Sequence, residues 1–128
     1  MYILVARTGQ LVGKRTGHTS AVTSLAVHGD IMVTASTDHT AVVWRNETIA
    51  ATFKAHTRWI NGVAISSDGT MAATVSDDHT VRVWSIPAVT LLNIFTTKKR
   101  PHDVAFSPTA KEIVVTAGNR GFLFPLSR

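Results

Sequence analysis

The sequence contains no cysteine, so disulfide bridges and thiolate chemistry are excluded. Long apolar runs are also missing, and no run approaches the roughly 18 residues that a membrane-spanning helix needs. The N-terminus begins with apolar residues and no basic segment before them, so we expect no secretory signal. Charged residues make up only 16% of the chain against 45% apolar residues, a balance that argues against disorder. These absences favour a folded protein without membrane contact, in the cytoplasm or the nucleus.

Patterns for cofactor or metal binding are lacking as well. The segment Gly118 to Gly121 does not have the spacing of a phosphate-binding glycine loop. Six histidines without cysteine form no recognisable zinc pattern. We therefore expect no cofactor, no metal and no enzymatic activity.

The chain carries a formal charge of +5, from 13 Lys and Arg against 8 Asp and Glu. This charge permits an acidic partner, including nucleic acid. The basic residues are mostly scattered, and the one dense run is Lys98-Lys99-Arg100. A solvated basic surface is the simpler interpretation of the charge.

An internal repeat is the strongest signal in the sequence. Gly29 to Trp44 and Gly69 to Trp84 are related by a shift of 40 positions, and eight of the sixteen residue pairs are identical. Upstream, His18 matches His56 at a shift of 38. The difference of two falls in a turn, where insertions are tolerated.

Each repeat unit contains short β-rich runs separated by Gly and Asp, which tolerate the backbone angles of tight turns. In the second unit we predict strands at about residues 59–65, 70–75, 80–84 and 89–95. Four antiparallel strands in about forty residues are typical of a propeller blade.

Gly17-His18 followed by Asp38 to Trp44, and Ala55-His56 followed by Asp78 to Trp84, resemble the WD-repeat family. The match covers about residues 17–95. The resemblance implies an all-β fold built of β-propeller blades, each a four-stranded antiparallel sheet. It divides the chain into the end of a preceding blade (1–16), a first repeat (17–54), a second repeat (55–96) and a degenerate third repeat (97–128).

The two ends of the chain depart from the repeat pattern. In the third repeat Phe124 replaces the tryptophan and the turn acid is missing. At the other end, Tyr2 to Ala6 and Gln10 to Val12 are predicted as the last two strands of the preceding blade. Gln10 to Val12 is alternatively a candidate for the fourth strand of the third repeat.

The resemblance also implies that a histidine, a threonine, an aspartate and a tryptophan of each unit form one buried, hydrogen-bonded set. Ser36 and Ser76 are alternatives to the threonines. A hydrolase triad is the competing interpretation, but the set occurs twice and ends each time on tryptophan, which favours a structural role. The two sets are His18, Thr34, Asp38 and Trp44, and His56, Thr74, Asp78 and Trp84.

Propellers of this family present the loops between outer and inner strands to partners, and Arg58 and Trp59 occupy such a loop. Ala21 stands at the position of Trp59 in the first unit, so the fold does not demand an aromatic residue there. Arg and Trp are enriched in binding hot spots, although Trp59 could instead cover the neighbouring blade. Lys98, Lys99 and Arg100 occupy the next such loop and would extend the same face, or form a solvated basic turn.

About three blades do not close a ring, because related propellers usually have about seven and rarely fewer than about four. The chain is then a piece of a longer propeller, a self-associating half, or a segment completed by another protein's blades. The predicted function is a non-enzymatic protein-interaction scaffold within a multiprotein complex. The alternative is a ribonucleoprotein or ribosome-assembly factor that contacts RNA through basic loops. A third hypothesis is the interaction domain of a larger enzyme.

Overall fold

The computed structural model describes residues 2–7, 10–16, 20–45, 48–86 and 89–126. In these residues the chain forms thirteen β-strands and no helix, so none of the described segments is a helix able to cross a membrane. The strands are β1 (Tyr2–Arg7), β2 (Gln10–Thr16), β3 (Val22–His28), β4 (Ile31–Ser36), β5 (Ala41–Arg45), β6 (Thr48–Phe53), β7 (Ile60–Ile65), β8 (Met71–Ser76), β9 (Thr80–Ser85), β10 (Thr90–Thr96), β11 (Pro101–Phe106), β12 (Glu112–Ala117) and β13 (Arg120–Pro125).

The strands form four antiparallel sheets in which neighbours in the chain are neighbours in space. A hairpin (β1–β2) is followed by a first sheet (β3–β6), a second sheet (β7–β10) and a third sheet (β11–β13). The predicted all-β fold of four-stranded propeller blades is thereby confirmed. Within the part of the chain that is described, the sheets do not close a ring.

The turns of the repeats are formed by residues that tolerate a positive φ angle. His39 (75°) and His79 (67°) adopt this conformation directly after the turn aspartates, and histidine is among the non-glycine residues that do so more readily. The Asp78 carboxylate accepts a hydrogen bond from the backbone N–H of Thr80 at 2.9 Å, which closes the turn locally. The repeated Asp-His-Thr sequence therefore ends one strand and begins the next.

Among the described residues, the two larger clusters of the hydrophobic core lie one on each face of the second sheet, and Val42 and Trp44 form a smaller cluster in the first sheet. Every residue of β8 is buried, because its alternate side chains face the first and the third sheet. Val33 and Val43 of the first sheet pack in one of the larger clusters, and Val104 and Val115 of the third sheet pack in the other. A strand buried on both faces is continuously apolar, as β8 largely is.

Two aromatic stacks join successive sheets in the same way. Phe53 of β6 stacks on Trp84 of β9 with ring centroids 4.4 Å apart. Phe95 of β10 stacks on Phe124 of β13 at 4.7 Å. Phe124 thus takes the packing role of the repeat tryptophan in the third sheet.

The alternative fourth-strand pairing of Gln10 to Val12 is wrong. Strand β2, which contains these residues, pairs with β1, and Arg7 lies opposite Gln10. Among the described strands, β13 pairs only with β12. Pairing between chain neighbours closes a short loop and loses less chain entropy than pairing across more than a hundred residues. The assignment of this hairpin to a preceding blade stays a prediction.

Candidate functional site

The histidine, aspartate, threonine and tryptophan of the second repeat lie within hydrogen-bonding distance of one another. The His56 Nδ1 atom is 2.9 Å from Asp78 Oδ2, and His56 Nε2 is 2.6 Å from Thr74 Oγ1. The Trp84 indole N–H donates to Thr74 Oγ1 at 3.1 Å. The chain of hydrogen bonds runs from the turn at Asp78 into the core, where each polar atom would otherwise be buried without a partner.

The electrostatics of this set fix its protonation. Burial lowers the pKa of His56 and outweighs the raising influence of the neighbouring Asp78 carboxylate. Burial acts to raise the pKa of Asp78, but hydrogen bonds from Thr80, His56 and the Thr57 N–H outweigh it and lower that pKa to about 2. At neutral pH a neutral imidazole therefore donates from Nδ1 to a carboxylate and accepts at Nε2 from the Thr74 hydroxyl.

This carboxylate–imidazole–hydroxyl sequence has the connectivity of a hydrolase triad, but its hydroxyl is not accessible. Thr74 is fully buried, and only 1% of the His56 side chain is exposed. The Thr74 hydroxyl donates to the imidazole and accepts from the Trp84 indole, so both of its bonding directions are used. The geometry offers no nucleophile to a substrate. The structural role of the set stays a prediction.

The first repeat repeats part of this arrangement. The Trp44 indole N–H donates to Thr34 Oγ1 at 2.9 Å, and Asp38 accepts from the Thr40 N–H at 2.9 Å. His18 lies outside the described residues. Ser36 Oγ accepts the Asp38 N–H at 3.0 Å, and Ser76 does the same for Asp78 at 3.2 Å. The serines hold the turns and the threonines hold the tryptophans.

The loop that carries Arg58 and Trp59 is pinned to the turn of its own repeat at three successive residues. The Thr57 N–H donates to Asp78 Oδ2 at 3.1 Å, and the Ser76 hydroxyl donates to the Arg58 carbonyl at 3.2 Å. The Asp77 N–H donates to the Trp59 carbonyl at 2.9 Å. The buried set and the exposed loop are therefore parts of one hydrogen-bonded unit.

Trp59 lies in a depression of about 640 Å³ that spans the first and second repeats. The residue is 55% exposed. The Asp77 carboxylate accepts from Asn61 Nδ2 at 2.7 Å and lies 4.0 Å from Arg100 Nη1. The depression is lined by His39, Thr57, Arg58, Trp59, Asp77 and Arg100.

The structure brings only part of the predicted partner-binding set together. Arg58, Trp59 and Arg100 share the depression, whereas Lys98 and Lys99 line a different cleft. Sequence reasoning did not select Asp77, which lines the depression, or Asn61, which donates to the Asp77 carboxylate. The one signal for Asp77 was its position next to the turn aspartate, where the first repeat has a threonine. Among the described residues, no group of three His, Asp or Glu is placed to hold a metal ion.

Comparison with known proteins gives a consistent result. The family model "WD domain, G-beta repeat" matches residues 9–45 and 47–85. The small ribosomal subunit protein RACK1 of Dictyostelium discoideum is 36% identical over 86 residues, which cover 59% of this chain and 26% of that protein. Subunit I of eukaryotic translation initiation factor 3 from Bombyx mori is 32% identical over 104 residues, covering 77% of this chain and 31% of that protein.

The fold is also similar to a solved structure. A chain in the crystal structure of a mitotic checkpoint complex superposes with a TM-score of 0.86 at 21% identity, covering 94% of this chain and 40% of that one. This chain thus spans less than half of each of these three proteins.

Proposed function

The chain belongs to the WD-repeat family, and from this premise we propose that it is a non-enzymatic protein-interaction scaffold within a multiprotein complex. The observation that carries the proposal is Trp59, an indole 55% exposed on a loop whose backbone is hydrogen-bonded at three successive residues. Nothing in the packing of the repeat requires an aromatic side chain there, because the first repeat has Ala21. The proposed setting is the cytoplasm or the nucleus.

The rigidity of the loop favours binding. A partner that docks on a loop already ordered loses less conformational entropy than one that must order it. Trp59 supplies a large apolar surface, and Arg58 adds a cation that has no carboxylate within ion-pair distance among the described residues. This combination of an indole and a guanidinium group is typical of binding hot spots.

The absence of catalysis is proposed from the burial of the triad-like set of the second repeat, the one that lies wholly within the described residues. Thr74 is enclosed by the core, so we assign His56, Asp78 and Trp84 to holding the blade and its loop in place. The relatives described above, a small ribosomal subunit protein and a subunit of an initiation factor, are by name components of larger assemblies. These names support a role as a subunit of a complex.

The test is affinity capture from extract with the double variant Arg58→Ala/Trp59→Ala. We expect at least a tenfold loss of specifically captured proteins, measured by quantitative mass spectrometry, with an unchanged melting temperature. The matched control is Arg45→Ala/Leu92→Ala, which removes one exposed arginine and one exposed apolar side chain elsewhere. Equal capture by the double variant and the unaltered chain would remove the Trp59 depression from consideration.

The ribonucleoprotein alternative gives a different outcome in the same experiment. If RNA bridges the chain to its partners, ribonuclease treatment of the extract abolishes capture, whereas a direct protein contact survives it. Contact with phosphates would also weaken steeply with salt. Loss of all partners after ribonuclease treatment contradicts the scaffold proposal.

A further inference from the structure

Lys98 and Lys99 line a second cleft, which lies between the second and third sheets. It has a volume of about 620 Å³, within the range of ligand-binding sites, and shares no lining residue with the Trp59 depression. Its lining comprises Thr96, Thr97, Lys98, Lys99, Ala117, Asn119, Arg120, Phe122 and Phe124.

The strand register shows why this cleft exists. In the second sheet Thr74 lies opposite Arg82, and at the same register of the third sheet Val115 lies opposite Phe122. Phe124 similarly takes the register of Trp84. The cleft therefore stands where the second repeat places its hydrogen-bonded set.

The loop leading into the third sheet cannot supply the missing histidine. Phe53 and Phe95 occupy equivalent places in the outer strands, and Ile60 and Pro101 occupy equivalent places in the inner strands. The loop between Phe95 and Pro101 is one residue shorter than the loop between Phe53 and Ile60. It contains threonine and lysine where the longer loop has His56. The space that the second repeat fills from within is left open in the third.

The rim of this cleft is cationic. Lys98, Lys99 and Arg120 line it together, and none of the described residues that line it is acidic. In the described part of the chain none of these three cations has a carboxylate within ion-pair distance, in contrast to Arg100 beside Asp77. The stem of Lys99 lies over the turn at Gly118, where an added Cβ would be 2.9 Å from the lysine Cδ.

The wall of the cleft is apolar. Phe122 is 39% exposed, and Phe124 is braced from behind by its stack on Phe95. We infer that the cleft binds an extended acidic peptide segment, with carboxylates at the cationic rim and one aromatic or large aliphatic side chain against Phe122. RNA fits less well, because Phe95 covers one ring face of Phe124 and successive bases need free ring faces to stack on.

The test is fluorescence anisotropy of the 128-residue chain with a labelled eight-residue peptide that alternates glutamate with phenylalanine. A peptide with glutamine in place of glutamate is the first comparison, and it needs no change in the protein. We expect the glutamine peptide to bind at least tenfold more weakly. Equal affinity for both peptides overturns the inference, since the carboxylates would then not be recognised.

Variants locate the binding to the cleft. Removing the three rim cations is expected to weaken binding of the glutamate peptide at least tenfold. Phe122→Ala is expected to weaken this binding by a smaller factor. A control that removes three exposed cations elsewhere has the same net charge and is expected to change binding less than twofold. The rim variant is Lys98→Ala/Lys99→Ala/Arg120→Ala, and the control is Arg45→Ala/Lys54→Ala/Lys111→Ala.

Two further outcomes would overturn the inference. Equal losses in the rim variant and the control would mean that the peptide responds only to overall charge. Displacement of the peptide by oligouridine, with tighter binding of the oligonucleotide, would assign the cleft to RNA. Because the Trp59 depression has separate residues, the capture experiment tests the scaffold function independently, whereas binding of RNA in the cleft would favour the ribonucleoprotein alternative.

Discussion

At the scale of single residues, equivalent buried positions of the second and third sheets are filled in two ways, by hydrogen-bonded side chains in one and by apolar side chains in the other. In the second sheet Thr74 satisfies the Trp84 indole and the His56 imidazole by hydrogen bonds. In the third sheet Val115 and Phe124 occupy that register without polar atoms. A buried hydrogen-bonded pair and an apolar pair can be similarly stable, whereas a mixed pair leaves a polar atom without a partner.

This comparison predicts the effect of Thr74→Val. The substitution keeps the shape of the side chain but removes the partner of two buried nitrogen atoms, so we expect a loss of about 1–3 kcal/mol in the free energy of unfolding. Urea denaturation followed by circular dichroism measures it. The control is Thr116→Val in β12, where the threonine is exposed and the change should stay within about 0.5 kcal/mol.

The double variant Thr74→Val/Trp84→Phe tests the same explanation more sharply. Once the indole N–H is gone, the missing hydrogen bond to Thr74 no longer destabilises the protein. The losses of free energy of unfolding in the two single variants should therefore sum to more than the loss in the double variant. We expect a coupling energy of at least about 0.5 kcal/mol. Strict additivity would show that Thr74 and Trp84 act independently and that the hydrogen bond between them is unimportant.

At the scale of the strands, the second and third sheets approach each other closely at Gly62 of β7. An added Cβ would lie 3.2 Å from the His102 carbonyl oxygen and 3.3 Å from Asp103 Cα, both backbone atoms of β11. Backbone atoms of a paired strand cannot rotate away as a side chain can. The spacing of the second and third sheets therefore depends on glycine at this position.

We accordingly expect Gly62→Val to destabilise the chain by about 1–3 kcal/mol, the usual range for overpacking. Hydrogen exchange should show faster amide exchange in β11 in particular. Gly121→Val is the matched control, since Gly121 also lies in a strand but an added Cβ there meets nothing within 4 Å. If both variants unfold at the same urea concentration, the contact with β11 does not limit the packing.

The strands were predictable from the sequence to within about one residue in the second repeat, because apolar runs and Asp-Gly or Asp-His turns mark both ends of each strand. The third sheet was predicted as a degenerate repeat from its strand and turn pattern, and Phe124 keeps the aromatic packing of the tryptophan there. The pairing of β2 was less certain, because a short edge strand has the same pattern in either partner sheet. The turn residues in the sequence determine where a strand begins and ends. Which strand it pairs with depends on the sheet edges that are available to it in the folded chain.

The candidate sites were predictable only in part. Arg58 and Trp59 were selected by residue type, and both line the depression. The basic run was expected to act as one, yet Arg100 turns to Asp77 while Lys98 and Lys99 line the other cleft. Successive residues of an extended segment point in alternate directions, and a loop shortened by one residue alters which way each points. Arg120 and Phe122 join the lysines only through the strand register.

At the scale of the whole molecule, the second sheet is covered on both faces and the third sheet on one. At three register positions on its outward face, the third sheet carries Glu112, Thr116 and Gly121, where the second sheet has Met71, Val75 and Val81. Val114 (40% exposed) and Leu123 (61% exposed) remain apolar on that face. The face is thus more polar than a blade interface, but it is not fully adapted to water.

This intermediate face predicts weak, concentration-dependent self-association of the 128-residue chain. Burial of exposed apolar side chains drives such contacts at roughly 25 cal/mol per Å², and the polar residues between them limit the affinity. Sedimentation velocity should show the average mass rising with concentration, and Leu123→Glu should return the chain to a monomer of 13.8 kDa. Leu92→Glu, which changes an exposed apolar residue of the outer strand β10, should leave the association intact. A monomer at every concentration would mean that Val114 and Leu123 are too few to hold a second copy. Ring completion would then need further blades from a longer chain or another protein.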